Sequence, residues 1–251
     1  MRAPGSPRVT VLPDARSVGE SVAERVVSAL CENPRVVLGL PTGRTPIPTY
    51  QALVSRFSAG RADFSQSATF NLDEFLGLTA DHPSSFRAFM NRHFFDFVNL
   101  AHSRINFLSG NTADADVECR RYEGAIADVG GIDLQLLGLG TNGHIGFNEP
   151  GAVLEARTHR VRLMPETRAA NAALFKGDER AVPVEALSMG MATILQARAI
   201  VLLATGAAKA QCVAAALRGP ITTALPASFL QLHPHVDVML DAAAAEVWTR
   251  P

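Results

Sequence analysis

The sequence predicts an α/β fold, in which helices cover both faces of a doubly wound, mostly parallel sheet of the Rossmann-like kind. Near-continuous apolar runs such as RVVLGLP (35–41) and RAIVLLATG (198–206) are typical of strands that are buried on both faces. Amphipathic segments separate these runs, and in one of them valines and a leucine recur at every fourth residue over 18–30. No internal repeat or linker interrupts the pattern, so we predict a single domain over 1–251.

The elements alternate along the chain. Runs of β-branched and aliphatic residues predict strands at 8–13, 35–41, 67–78 (running into a loop), 104–108, 132–140, 198–206 and 235–241. Apolar residues at helical spacing predict helices at 18–30, 47–57, 85–98, 113–127, 183–196 and 207–219. Ser84 or Ser85 would cap the helix at 85–98. Residues 151–182 depart from this rhythm, since they are rich in Arg, Glu and Ala with weak periodicity, and we predict that they form a lid.

Composition excludes several classes of protein. A formal net charge of -1 gives no reason to expect nucleic acid or an anionic membrane as a partner. The start of the chain has no apolar signal region and no apolar run approaches eighteen residues, so we expect a soluble cytoplasmic protein. Cys31, Cys119 and Cys212 are far apart, so we expect them to pack in helices. The seven histidines contain no H-x-x-x-H pair, so no metal site is predicted.

Four unusual segments follow predicted strands. They are PTGRTP (41–46), NLDEF (71–75), LQLLGLGTNGHIGFNEPG (134–151) and ATGAAKA (204–210). In open parallel sheets, ligands bind beyond the carboxyl ends of the strands. If the strands are parallel, all four segments therefore face the same side.

Two of these segments have the design of an anion site. Thr42, Gly43, Arg44 and Thr45 combine bare amides, hydroxyls and a cation just before a helix, and Lys209 lies in the first helical turn after Gly206. Each could be only a tight turn between a strand and a helix. Two such turns on one edge, each with a cation, favour a phosphate held between them.

The segment NLDEF places Asp73 and Glu74 at the end of an apolar strand. An isolated carboxylate there is often solvated or caps a helix. Beside a phosphate site it becomes a candidate general base.

The glycine-rich segment contains G-x-G-x-x-G at 138–143, which is also the spelling of a dinucleotide-binding loop. In such a loop the last glycine opens a helix, whereas glycines and Pro150 forbid a regular helix here. What remains is a glycine-built loop that displays Asn142, His144, Asn148 and Glu149. We expect His144 to have little to pack against between glycines, and we interpret His144 and Glu149 as a polarised pair.

These residues closely resemble those of the glucosamine-6-phosphate deaminase family over nearly the whole chain. The resemblance is carried by LGLPTGRTPIPTYQALV, TFNLDEFLGL, LLGLGTNGHIGFNEPG, ETRAAN and LLATGAAKA, of which NGHIGFNEPG is highly specific. The related 6-phosphogluconolactonases share the fold and a glycine–histidine loop, but they lack the FNEP continuation. The resemblance implies conversion of glucosamine 6-phosphate and water into fructose 6-phosphate and ammonia, without a metal or an organic cofactor.

The resemblance also implies residue roles. Asp73 would move a proton between C2 and C1 of the sugar, and His144, supported by Glu149, would open the pyranose ring. The phosphate would lie on the segment from Thr42 to Thr45, with Lys209 as its counter-ion. The lid at 151–182 would exclude water from the enolamine intermediate.

The chain departs from the family pattern at several positions. Asn142 stands where some members have aspartate, Arg44 where members usually have a small residue, and Ala173 where well-studied members have a lid arginine that contacts phosphate. We hypothesise that this cation has moved from the lid to the loop. The positions that bind an allosteric activator in hexameric members are occupied here by Ala152, His159 and Val161. A monomer is therefore expected rather than a hexamer.

Three alternatives stay open. The first is another sugar phosphate, either 6-phosphogluconolactone for a lactonase or galactosamine 6-phosphate for a deaminase. The second is a sugar-phosphate-sensing effector domain, but the first strand near residue 8 leaves no room for a helix-turn-helix segment. The third is a nicotinamide dehydrogenase, which the missing helix after Gly143 disfavours.

Overall fold

The computed structural model describes residues 7–250, so the single-domain prediction for 1–251 extends beyond it at both ends. Within that range the strands are β1 (Arg8–Leu12), β2 (Val37–Leu40), β3 (Ala68–Asn71), β4 (Asp73–Phe75), β5 (Ile105–Asn106), β6 (Leu134–Gly138), β7 (His159–Arg162), β8 (Glu185–Ser188), β9 (Ala199–Ala204) and β10 (Val236–Asp241). The α-helices are α1 (Ala15–Glu32), α2 (Ile47–Ser58), α3 (Phe86–His93), α4 (Ala115–Asp128), α5 (Pro165–Asn171), α6 (Met191–Leu195) and α7 (Ala210–Arg218). Short 3-10 turns cover Phe95–Phe97, His102–Arg104, Ala172–Phe175, Glu179–Ala181, Ala207–Lys209 and Pro226–Leu232.

Seven parallel strands form the central sheet in the order β1-β10-β9-β6-β2-β3-β5. From β2 the chain winds outward through β3 and β5, returns to β6 on the other side of β2, and continues outward through β9 and β10. The predicted doubly wound parallel sheet is therefore confirmed. The winding direction reverses between β2 and β6, and ligands bind beyond the carboxyl ends of the strands at such a reversal.

Strand β9 illustrates how helices cover both faces of this sheet. Ile200 and Leu202 belong to an apolar core that also contains residues of α4, α6 and α7. Val201 and Leu203 belong to a second core with residues of α1, α2 and α3. Consecutive strand residues point to opposite faces, so a continuous apolar run is what a doubly covered strand requires.

A second sheet of three antiparallel strands, in the order β4-β8-β7, corrects two predictions. The strand predicted at 67–78 is two strands, β3 and β4, which belong to different sheets, and Asp73 of β4 is paired to Ser188. The helix predicted at 183–196 is wrong, because Glu185–Ser188 is a strand and only the short helix α6 follows it. Strand β8 is hydrogen-bonded on both edges, so pairing overrides the helix propensity of its residues.

Helix α3 is shorter than the predicted helix at 85–98. The hydroxyl of Ser85 accepts a hydrogen bond from the N–H of Ala88 at 3.0 Å, so Ser85 is the cap. The helix ends at His93, where Phe94 turns into the core and its ring stacks on that of Tyr50, with ring centroids 5.4 Å apart. The core contact of Phe94 therefore ends the helix.

The predicted lid segment at 151–182 contains β7, α5 and two 3-10 turns. It packs on the rest of the chain through an apolar cluster, in which the ring centroid of Phe175 lies 5.5 Å from that of Phe75 and in which Phe86 and Phe147 also take part. This contact fixes where the segment lies. Its mobility stays a prediction.

Two further features of the described residues concern the cysteines and membranes. Cys119 and Cys212 are buried, but Cys31 is exposed near the end of α1, so helix packing was the wrong expectation for Cys31. None of the helices within residues 7–250 is long and apolar enough to span a lipid bilayer.

Close packing at Gly190 allows a test of the fold. A Cβ atom at Gly190 would lie 2.2 Å from the carbonyl oxygen of Arg157, just before strand β7 of the predicted lid. We expect Gly190→Ala to lower the free energy of unfolding by about 1–3 kcal/mol, because backbone must shift. The control is Gly124→Ala on α4, where a Cβ would meet nothing within 4 Å. This variant should raise the free energy of unfolding by about 0.5–1 kcal/mol, because alanine favours the helix over glycine. Urea unfolding measures both, and equal midpoints for Gly190→Ala and wild type would contradict the packing.

Candidate active site

The four segments singled out in the sequence meet at one cavity of about 480 Å³. It lies beyond the carboxyl ends of β2, β3, β6 and β9, at the reversal of the winding direction. Its lining includes Thr42, Gly43, Arg44, Thr45, Asp73, Gly138, Gly140, Asn142, His144, Thr205 and Lys209. The prediction that all four segments face the same side is confirmed.

Asp73 is a buried carboxylic acid in the cavity wall. The residue is 6% exposed, and its Oδ1 has no hydrogen-bond partner among the described residues. Burial raises the pKa of Asp73 to about 8, and the neighbouring charge of Glu74 adds to the effect. A carboxylate that is only partly ionised near neutrality holds a proton weakly enough to release it and strongly enough to accept it.

Glu74, the adjacent candidate base, is used within the protein. Its carboxylate accepts the backbone N–H groups of Phe75 at 2.9 Å and of Phe86 and Arg87 at 3.0 Å. Burial raises the pKa of Glu74 to about 7, and these three hydrogen bonds oppose the rise. Glu74 therefore joins β4 to the start of α3, and of these two adjacent carboxylates it is Asp73 that lines the cavity.

The ring of His144 explains part of the glycine-rich sequence. A Cβ atom at Gly140 would lie 2.5 Å from the ring Nδ1, so the imidazole rests directly on the Gly140 backbone. The expectation that glycines give His144 little to pack against is therefore wrong. A residue larger than glycine at position 140 would displace the imidazole from the cavity wall.

Glu149 lies behind His144 and does not line the cavity. Its Oε2 is 3.5 Å from His144 Nδ1, and the same oxygen accepts a hydrogen bond from Asn142 Nδ2 at 3.1 Å. Burial opposes ionisation of Glu149, but His144, Thr167 and Asn142 outweigh it, so the pKa of Glu149 is lowered. His144 Nδ1 makes no hydrogen bond within the described residues, so at 3.5 Å an ionised Glu149 acts on the ring through its charge, and Nε2 is left as the nitrogen available to a ligand.

Asn142 also shapes the loop, because its Oδ1 accepts the backbone N–H of His144 at 3.2 Å. Asn148, in contrast, is not displayed towards the cavity as predicted. Its side chain is buried and donates to the carbonyl oxygens of Ile145 at 2.9 Å and Met189 at 2.8 Å. Asn148 therefore ties the loop to the segment after β8.

The two predicted anion turns differ in the structure. In the first, the backbone N–H groups of Gly43, Arg44 and Thr45 find no acceptor among the described residues, which suits an anion. In the second, the N–H of Gly206 is already bound by the carboxylate of Asp241 at 3.0 Å, so this amide is not available. The second turn contributes the side chain of Lys209, as predicted, but not the bare amide that its sequence suggests.

Arg44 and Lys209 supply positive charge to the same cavity. Burial lowers the pKa of Lys209, and the charge of Arg44 lowers it further. Ala173 is exposed on a 3-10 turn and does not line the cavity. The placement of Arg44 agrees with the hypothesis that the loop supplies the cation missing from position 173.

One wall of the cavity is formed by residues that the sequence did not predict individually. Four residues of α5 line it: Glu166, Thr167, Ala170 and Asn171. The stretch ETRAAN contributes to the family resemblance, and that was the available signal. Within the described part of the chain, no three His, Cys, Asp or Glu side chains gather into a group that could hold a metal ion.

Comparison with known proteins decides the family. The family model described as glucosamine-6-phosphate isomerases/6-phosphogluconolactonase matches residues 14–239. The chain belongs to this family. A glucosamine-6-phosphate deaminase of Rhodopirellula baltica is 49% identical over 239 residues, which cover 95% of each chain.

Two solved structures are similar to this chain to different degrees. A monomeric glucosamine-6-phosphate deaminase superposes with a TM-score of 0.93 at 41% identity, covering 96% of this chain and 99% of the other. A 6-phosphogluconolactonase of Trypanosoma cruzi superposes with a TM-score of 0.80 at 19% identity, covering 99% of each chain. The second likeness shows the shared fold alone.

Proposed function

We propose that this protein is a glucosamine-6-phosphate deaminase. The observation that carries the proposal is that one cavity is lined by an acid, an imidazole and two cations, which are Asp73, His144, Arg44 and Lys209. Glu149 lies behind His144 and contacts its ring. An acid–base carboxylate beside an imidazole suits proton transfers on a sugar, and paired cations suit a phosphate. The identity to named deaminases over most of the chain supports the same substrate.

The reaction follows from these groups in three steps. His144 transfers a proton between O1 and the ring oxygen, which opens the pyranose to the aldehyde. Asp73 removes the proton from C2 and returns it to C1, while a proton of the amine passes to O1, so that C1 becomes a hydroxymethyl group and C2 carries an imine. Water adds to this imine and ammonia leaves, which gives fructose 6-phosphate. One water is consumed for each ammonia released, so the net reaction is an isomerisation coupled to hydrolytic deamination.

Arg44 is expected to contribute to phosphate binding. We predict that Arg44→Gly raises the KM for the sugar phosphate about 10- to 150-fold with little change in kcat. The lost charge-assisted contact corresponds to about 1.5–3 kcal/mol. Steady-state kinetics measure the KM. The KM of Arg44→Lys should lie between those of wild type and Arg44→Gly, because lysine keeps the charge but lacks the planar guanidinium group. An unchanged KM in Arg44→Gly would refute the hypothesis that the cation has moved.

The pH dependence of kcat/KM tests whether Asp73 is the base. Asp73 must be ionised to act, and its pKa of about 8 in the folded protein means that kcat/KM rises with pH through this region and falls tenfold per unit below it. Ionisation of the substrate contributes to the same limb. The control is therefore Glu74→Gln, which removes the neighbouring charge and should shift the limb to lower pH, as substrate ionisation cannot. A limb near pH 4 would contradict the assignment.

The substrate is tested by a panel. We expect kcat/KM for glucosamine 6-phosphate to exceed that for galactosamine 6-phosphate, which differs at the C4 hydroxyl, and that for 6-phosphogluconolactone. Preferred turnover of the lactone would make the protein a lactonase with the same fold. Preferred turnover of galactosamine 6-phosphate would keep the chemistry and change the sugar.

The assembly and location are proposed from the same evidence. The monomeric relative at 41% identity supports a monomer for this chain, and light scattering after size-exclusion chromatography would show the mass of one chain. A mass of six chains would contradict it. We retain a cytoplasmic location as the expectation for an enzyme of sugar phosphates.

A further inference from the structure

Asp241 is a buried acid that contacts the loop at 205–209, which carries Lys209, but Asp241 does not line the cavity itself. It is the last residue of β10, and the preceding Leu240 pairs with Ala204 at the end of β9. Both carboxylate oxygens of Asp241 lie 3.0 Å from the backbone N of Gly206, and Oδ1 also accepts the N–H of Ala244 at 2.7 Å. The residue is 8% exposed.

The backbone conformation of Gly206 explains why it requires stabilising hydrogen bonds. Its φ of 89° and ψ of 147° lie in a region that almost only glycine enters. A Cβ there would meet nothing within 4 Å, so the constraint is conformational rather than steric. Such a conformation persists only where neighbouring groups fix it.

The contact between Asp241 and Gly206 also affects the position of Lys209. The backbone N–H of Lys209 donates to the carbonyl oxygen of Gly206 at 3.0 Å, which closes the turn from Ala207 to Lys209. A change in the orientation of Gly206 therefore moves the residue whose side chain faces the cavity. Asp241 and Lys209 are connected through this turn.

We propose that Asp241 is a positioning residue, which holds the loop at 205–209 in the shape that aims Lys209 at the phosphate of the substrate. The proposal rests on the proposed function. Loss of the Asp241 charge has an opposing effect, since it removes a repulsion from the bound anion. The carboxylate is engaged by two backbone N–H groups, so we expect the loss of loop order to outweigh the loss of repulsion.

The test uses binding as well as turnover. By calorimetry, Asp241→Asn should bind fructose 6-phosphate and inorganic phosphate about tenfold more weakly than wild type. Its KM should rise about tenfold while kcat changes less than twofold. The matched control is Asp237→Asn on the same strand, where Asp237 forms an exposed ion pair with Arg8 at 2.7 Å, and it should leave both affinities unchanged.

A second variant acts on the same contact from the other side. Gly206→Ala should weaken binding to a similar extent, because alanine does not hold this backbone conformation, and it tests the proposal even if Asp241→Asn fails to fold. In a Lys209→Met background, Asp241→Asn should add less than twofold, because its effect passes through Lys209.

Several results would overturn the proposal. They are unchanged or tighter phosphate binding in both variants, effects that multiply fully with Lys209→Met, or a fall in kcat at constant KM. If wild type binds and converts the amino sugar phosphate while both variants match it, only this inference fails. If folded wild type binds no sugar phosphate, the proposed function fails with it.

Discussion

Replacing Asp73 by asparagine should lower kcat for glucosamine 6-phosphate by about a hundred- to ten-thousand-fold with little change in KM, because the variant keeps the shape of the side chain but cannot accept the C2 proton. Coupled assays of product formation measure this loss. A variant with more than a tenth of the wild-type kcat would exclude Asp73 as the base.

The same substitution should not weaken the fold, and this separates a catalytic role from a structural one. Asp73 has a raised pKa in the folded protein, so its ionisation costs stability as pH rises from its unfolded-state value near 4 towards about 8. The asparagine side chain of the variant does not titrate. Relative to wild type, the variant should therefore gain stability through that range and keep the gain above it. A variant that unfolds more easily at pH 9 would contradict this account of Asp73.

Replacing His144 by alanine is expected to have the second-largest effect, a fall in kcat of about a hundred- to ten-thousand-fold, because ring opening loses its acid–base group. Glu149→Gln should cost less, since the ring stays in place on Gly140 and loses only the charge of Glu149. Rates of ammonia release measure both variants.

A double variant distinguishes the roles of the pair. If Glu149 acts through His144, the His144→Ala and Glu149→Gln changes together should cost no more than His144→Ala alone. Effects that multiply would mean that Glu149 has a separate role, such as holding the predicted lid through its 3.2 Å hydrogen bond from the N–H of Met164.

The central sheet was predictable because its strands are buried on both faces, and this leaves a continuous apolar signature in runs such as 198–206. The site was predictable for a related reason. Parallel strands bring their carboxyl ends to one edge, so the positions of Arg44, Asp73, His144 and Lys209 after strands place them together.

The rest depended on contacts that no local pattern records. Strand β8 has the composition of a helix and is a strand because β4 and β7 flank it. The amide of Gly206 looked available for an anion, but Asp241, 35 residues away, already binds it. Asn148 looked like a displayed polar group, and its partner Met189 lies 41 residues away.

The most direct test of the proposed activity follows ammonia and fructose 6-phosphate together while purified protein consumes glucosamine 6-phosphate. We expect one mole of each product for each mole of substrate. Absence of turnover in folded protein, or release of ammonia without an equal amount of fructose 6-phosphate, would contradict it.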